Sequence, residues 1–175
     1  LTTVLYDGKN LHADRRIVQD CFPTRISNDG VKLYTNEENT IAIGCCGILP
    51  DTKKKEQLFT IVDFLFRKMY SSTFVYRGEL KDLLPITIAK DLSTSETLDF
   101  IAITYNKAFL CRASYVFPQT GFLSALGTGE KGIIACYYVL QDVATAFRVS
   151  SELDTLSSPE YMSIMADTLN PYVVE

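Results

Sequence analysis

Two hydroxyl side chains, Thr2 and Thr3, stand near the start of this sequence behind a single residue, Leu1. A hydroxyl at a chain terminus carries its own base. The freed α-amino group has a pKa of about 7.7–8.0, so much of it is neutral near physiological pH and takes the proton of an attacking oxygen. Leu1 precedes Thr2, so this chemistry is expected only once Leu1 is removed. A strand over 2–6, a tight Asp7-Gly8 turn and a return strand over 11–14 follow. The return strand ends on a carboxylate, Asp14.

A second pattern with chemical promise is Gly127-Thr128-Gly129-Glu130-Lys131-Gly132, which matches G-x-G-x-x-G between a strand and a helix. A dinucleotide fingerprint also needs a buried parallel strand after the helix, ending in an acidic residue. Arg148 to Asp154 supplies no such strand. A phosphate loop fails too, because Gly132 rather than Ser or Thr follows Lys131. The motif therefore reads as a tight strand-to-helix turn whose amides hold a hydroxyl, an anion or a backbone oxygen.

The five cysteines, Cys21, Cys45, Cys46, Cys111 and Cys136, are odd in number and form no C-x-x-C pair. With His12 as the single histidine, a zinc site is not expected, and no cofactor is implied. The cysteines read as reduced, mostly buried thiols of a cytoplasmic protein. His12 sits beside the hairpin turn and reads as a packed or surface strand residue rather than a catalyst.

The chain has 175 residues, 47% hydrophobic and 22% charged, which suits a single domain over 1–175 with a sizeable core. Its net charge is −4, and its longest basic run is Lys53-Lys54-Lys55, so no nucleic-acid surface is expected. No apolar run reaches the roughly 18–20 residues of a membrane span, and no signal peptide is visible.

The elements that position these residues follow from periodicity. Strands are expected over 31–34 and 40–46, the second apolar throughout and so covered on both faces. Asp51 is the expected N-cap of a long helix with Leu58, Ile61, Val62, Leu65 and Met69 on one stripe. Residues 71–95 hold a short helical piece near 79–84. A second strand region covers 98–105, 108–113, 115–117 and 122–126. Helices are expected over 132–147 and 159–169, with a last short strand at 172–174. Strand blocks alternating with helix blocks imply an α+β fold of two stacked, mainly antiparallel sheets flanked by helices.

In that order the pieces resemble the proteasome β-subunit and HslV peptidase family of N-terminal-nucleophile hydrolases. Thr2-Thr3-Val4-Leu5 resembles the family's opening strand. Ala13-Asp14-Arg15 resembles its aspartate-bearing return strand, and Val31-Lys32-Leu33-Tyr34 the strand with its essential lysine. Ile41 to Gly47 before a long helix resembles its oxyanion-hole turn, and Ala125-Leu126-Gly127-Thr128-Gly129 its Gly-Ser-Gly turn. The resemblance implies a four-layer αββα sandwich and a threonine peptidase. Thr2 is then the nucleophile, and Lys32 favours its alkoxide. Asp14 orients Lys32, the Cys46 N–H donates to the oxyanion, and Thr128 holds the amine. Thr3 is the less favoured nucleophile, because a start there shortens the first strand further.

The resemblance also implies a homo-oligomeric ring, with Tyr137, Tyr138 and Phe147 as interface candidates, a peptide substrate and an ATPase unfoldase as partner. The chain departs from the family's pattern in a shorter first hairpin, a shortened second helix and a Cys45-Cys46-Gly47 turn. It departs also at the C-terminal end, where Asp167 or Asn170 stands in for a supporting acid. An alternative is a proteolytically inactive subunit with a structural or binding role, since Leu1 would block the Thr2 amine.

Overall fold

The structure is a computed structural model that describes residues 2–19, 25–46, 51–71, 78–90 and 98–174. β-Branched residues open the chain, and Thr3–Tyr6 forms β1, buried along its whole length. Gly8, with φ +101°, turns the chain into β2, Leu11–Asp14. The Asp7 carboxylate closes the turn by accepting the N–H groups of Lys9 and Asn10 at 2.9 and 2.7 Å.

Ile17–Gln19 (β3) and Arg25–Ser27 (β4) form a separate two-stranded antiparallel sheet. Leu33–Thr35 (β5) and Ala42–Cys45 (β6) come next, then the long helix α1, Thr52–Ser71. Asp51 caps α1 as expected, its carboxylate accepting the Lys54 N–H at 2.8 Å. Gly78–Glu79 (β7) and the short helices α2, Leu80–Leu83, and α3, Ile86–Ala89, lead to a three-stranded run of Phe100–Ile103 (β8), Ala108–Arg112 (β9) and Tyr115–Pro118 (β10). Ser124–Gly127 (β11) then feeds α4, Glu130–Leu140, and α5, Val143–Leu153. Tyr161–Ile164 (β12) and Pro171–Val174 (β13) close the chain.

One sheet has the order β11-β1-β2-β12-β13, the other β5-β6-β8-β9-β10-β7. The facing sides meet in a core of Val4, Leu11, Ala13, Leu126, Met162 and Ile164 against Leu33, Ala42, Ile101, Ile103, Ala108 and Leu110. Helix α1 covers the outer side of the second sheet through Leu58, Ile61, Val62, Leu65 and Phe66. Helices α4 and α5 cover the outer side of the first through Ile133, Ala146 and Phe147 against Leu5 and Ala125. The result is the expected α+β, four-layer αββα sandwich of antiparallel sheets. Strand β6 is buried on both faces, since Ala42 belongs to the inter-sheet core and Ile43 and Cys45 to the α1 side. Among the described residues no helix is long and apolar enough to cross a membrane.

Two expectations about elements are corrected. The helix expected over 132–147 is two helices, because Gln141 takes a left-handed conformation, φ 55°, that ends α4. Asp142 then starts α5 in an extended conformation. The helix expected over 159–169 is β12 followed by a turn. Met162, Met165 and Leu169 have helical spacing, but pairing with β2 on one side and β13 on the other holds 161–164 extended.

Candidate active site

Antiparallel pairing brings the end of β2 beside the start of β1, since Val4 lies opposite Ala13. Asp14 is fully buried there, and both carboxylate oxygens are used. Oδ1 accepts the Thr3 N–H and the Lys32 ammonium, each at 2.8 Å. Oδ2 accepts the N–H groups of Arg16 and Ser158 at 3.1 and 3.2 Å. A carboxylate so surrounded by donors is fixed in direction.

Lys32, just before β5, is only 1% exposed. Burial pulls its ammonium below the ordinary lysine pKa, against the Asp14 charge and hydrogen bond. The Arg16 charge adds to the depression. That guanidinium is anchored on the Asn28 side-chain oxygen and the Thr155 carbonyl at 3.0 and 2.8 Å.

A second cluster lies on the other side of β1. The Thr3 hydroxyl meets the Ser157 hydroxyl at 2.6 Å, and Ser157 donates to Asp154 Oδ2 at 2.8 Å. The Thr128 hydroxyl donates to the same oxygen at 2.5 Å. Burial works against the Asp154 anion, but the Thr128 and Ser157 hydroxyls and the Leu156 N–H together bring its pKa below the usual carboxylate value.

The glycine turn makes this approach possible. Gly127 has φ +103°, and a Cβ there would lie 1.5 Å from the Thr2 carbonyl oxygen. That carbonyl accepts the Thr128 N–H at 3.0 Å.

Of the five residues expected from sequence, the fold brings Asp14 and Lys32 into direct contact at the head of β1. Thr2 is next in the chain and 1% exposed, and Thr128 is hydrogen-bonded to its backbone. The Thr128 hydroxyl donates to Asp154. The Cys46 N–H donates to the Asp99 carbonyl at 3.1 Å, so it is taken up at the edge of the sheet instead of being open to an oxyanion. Leu1, Cys21 and Gly47 lie outside the described residues.

Asp154 and Ser157 were missed by sequence reasoning, which looked for the supporting acid near 167–170. Asp167 is instead a surface residue paired with Lys9 at 3.0 Å. The available signal was Asp154-Thr155-Leu156-Ser157 in the turn after α5. Phe147, expected at an interface, is buried and stacks on Tyr161 at 4.7 Å between ring centroids. Among the described residues no group of three or more His, Cys, Asp or Glu side chains is placed to hold a metal ion.

Stacked antiparallel sheets between helix layers define an HslV-like α+β sandwich. One of the 223 solved chains that match this architecture is eukaryotic HslV from Trypanosoma brucei, with a TM-score of 0.56. The likeness covers 92% of this chain and 97% of that one at 15% identity, so it extends over the whole sandwich and shows the fold alone. No protein-family model matches the sequence, and no curated protein matches it.

Proposed function

We propose that this chain is a proteasome-like threonine peptidase subunit whose nucleophile is the Thr2 hydroxyl, exposed when Leu1 is removed. The observation that carries the reading is the buried Lys32–Asp14 pair, joined through Asp14 to the backbone of Thr3. The Thr2 hydroxyl oxygen attacks the peptide carbonyl carbon, and its proton passes to the freed α-amine, directly or through a water. The C–N bond then breaks, that proton leaves with the amine product, and water hydrolyses the Thr2 ester. Lys32 favours the alkoxide by its charge. Thr128 and Asp154 act together at the terminus, and Ser157 carries the same network to Thr3.

The test is a chain beginning at Thr2, treated with a peptide-like acylating electrophile and mapped by mass spectrometry. An adduct on Thr2, absent from Thr2→Ala, is expected. Labelling elsewhere, or equal labelling of the chain that keeps Leu1, contradicts the assignment.

A second reading, an inactive subunit with a structural or binding role, is favoured by the closure of the site. Thr2, Asp14 and Lys32 are each at most 1% exposed, and the Cys46 N–H is already bonded. In either reading the subunit assembles into a homo-oligomeric ring, with a peptide substrate and an ATPase unfoldase as partners of the active form. Tyr138, Val139 and Leu140 at the end of α4 are 74%, 75% and 53% exposed, an apolar patch suited to self-association.

A further inference from the structure

His12 is the one histidine of the sequence and takes no part in the chemistry above. It is 4% exposed, and both ring nitrogens are engaged. Nε2 meets Asp7 Oδ2 at 2.8 Å, and Nδ1 meets the Ser163 hydroxyl at 2.6 Å. Ser163 is fully buried on β12 directly opposite His12 on β2, and Tyr161 approaches the imidazole edge-on at 6.3 Å. We propose that Asp7, His12 and Ser163 form a directional hydrogen-bond relay that fixes the register of β12 on β2 and so positions the donors around Asp14.

The direction follows from the Asp7 carboxylate. Its Oδ1 is occupied by the Lys9 and Asn10 N–H groups, leaving Oδ2 for His12. Burial opposes the Asp7 anion, but His12 and the two backbone donors bring its pKa below the usual value. An ionised carboxylate only accepts, so the imidazole proton sits on Nε2. In the neutral imidazole Nδ1 is then an acceptor, and Ser163 donates to it.

The consequence lies two residues along each strand, where Tyr161 pairs with Asp14. The segment entering β12 there supplies the Ser158 N–H to Asp14. A one-residue slip of β12 would turn Ser163 to the opposite face, and a two-residue slip would carry Ser158 away by about 6–7 Å. The Asn10 side chain also accepts the Ala166 N–H at 2.9 Å, so β12 keeps a tether when the relay is cut. Asp7, His12 and Ser163 are thus positioning residues. The relay concerns the site proposed above, but its test reads no turnover, so its failure is distinguishable from failure of the peptidase reading.

Because there is one histidine, protein labelled with 15N-histidine gives a single imidazole spin system. At a pH where the imidazole is neutral, the expected state is the Nε2–H tautomer. In Asp7→Asn the amide oxygen stays on the Lys9 and Asn10 N–H groups and its NH2 faces His12, so the proton should move to Nδ1. In Ser163→Ala, amide exchange at Thr3 and Ser158 should rise about fivefold to tenfold, with β8 and β9 amides unchanged. An Nδ1–H tautomer in the parent protein, or a tautomer unmoved by Asp7→Asn, overturns the relay. So does unchanged exchange at Thr3 and Ser158, or equal acceleration in both sheets. If Ser163→Ala does not fold, the tautomer in Asp7→Asn decides.

Discussion

Asp14 and Lys32 are not equivalent partners. Lys32 sends its ammonium to Asp14 Oδ1, whereas Asp14 also holds three backbone N–H groups, from Thr3, Arg16 and Ser158. Asp14→Asn removes the anion from a buried lysine and disturbs all four contacts, and should cost about 3–5 kcal/mol in a urea titration. Lys32→Met leaves the three backbone donors in place and should cost less. Equal losses would mean that the backbone donors contribute nothing.

The titrating groups also set a pH profile. Asp7 and Asp154 have lowered folded pKa values, so their stabilisation is present above the ordinary carboxylate value and is lost as pH falls through the folded one. Burial pushes the Cys45 and Cys111 thiols from 9.0, and Tyr34 from 10.0, up to about 12. Their stabilisation is complete below 9.0 and is lost as pH rises toward about 12. Lys32, lowered from 10.5, works the other way, since its unfolded form binds more protons. Two thiols and a phenol outweigh one ammonium, so thermal midpoints should hold level around neutrality and fall above about pH 9. A midpoint that climbs from pH 9 to 11 would reverse this balance.

At the scale of elements, the Gly127 turn is the tightest requirement. Gly127→Ala would press a Cβ onto the Thr2 backbone and force a side chain into φ +103°, whereas Gly121, φ +80°, has nothing within 4 Å of its Cβ position. Gly121→Ala should therefore cost only about 1–2 kcal/mol of left-handed strain. Gly127→Ala should cost well beyond that in the same denaturation experiment, and similar losses would contradict the close approach.

The turn was legible in the sequence, as were β1, β2, β6 and α1, because hairpin chemistry, alternation and an N-cap each act locally. The end of the chain was not. Tyr161–Ile164 is extended only because strands flank it on both sides, a fact that no local window contains. Taking it as part of a helix moved the search for a supporting acid to its far end. Asp154 and Ser157, earlier in the chain in the turn after α5, were passed over for that reason. Asp14 and Lys32 were found because each sits on or beside a strand with a clear sequence pattern.

At the scale of the molecule, the fold resembles HslV over almost its entire length while sequence identity is 15%. The two sheets need only matched apolar faces, and many residue sets supply them. Assembly is a surface property. Phe147 belongs to the core, stacked on Tyr161, whereas Tyr138 is open to solvent. Light scattering of the full chain should give a multiple of the 19.6 kDa protomer, and Tyr138→Glu with Val139→Glu should lower that mass. A protomer-sized particle at micromolar concentration and low salt would contradict ring assembly.

The central claim is that the buried Lys32–Asp14 pair serves a threonine at the chain terminus. It is tested most directly by turnover of a small peptide substrate by two forms of defined N-terminus, one keeping Leu1 and one beginning at Thr2. Intact mass and N-terminal sequencing verify each form. The account predicts hydrolysis by the Thr2 form, little or none by the Leu1 form, and none by the Thr2 form carrying Thr2→Ala. Equal turnover by the Leu1 and Thr2 forms, or undiminished turnover after Thr2→Ala, would contradict it.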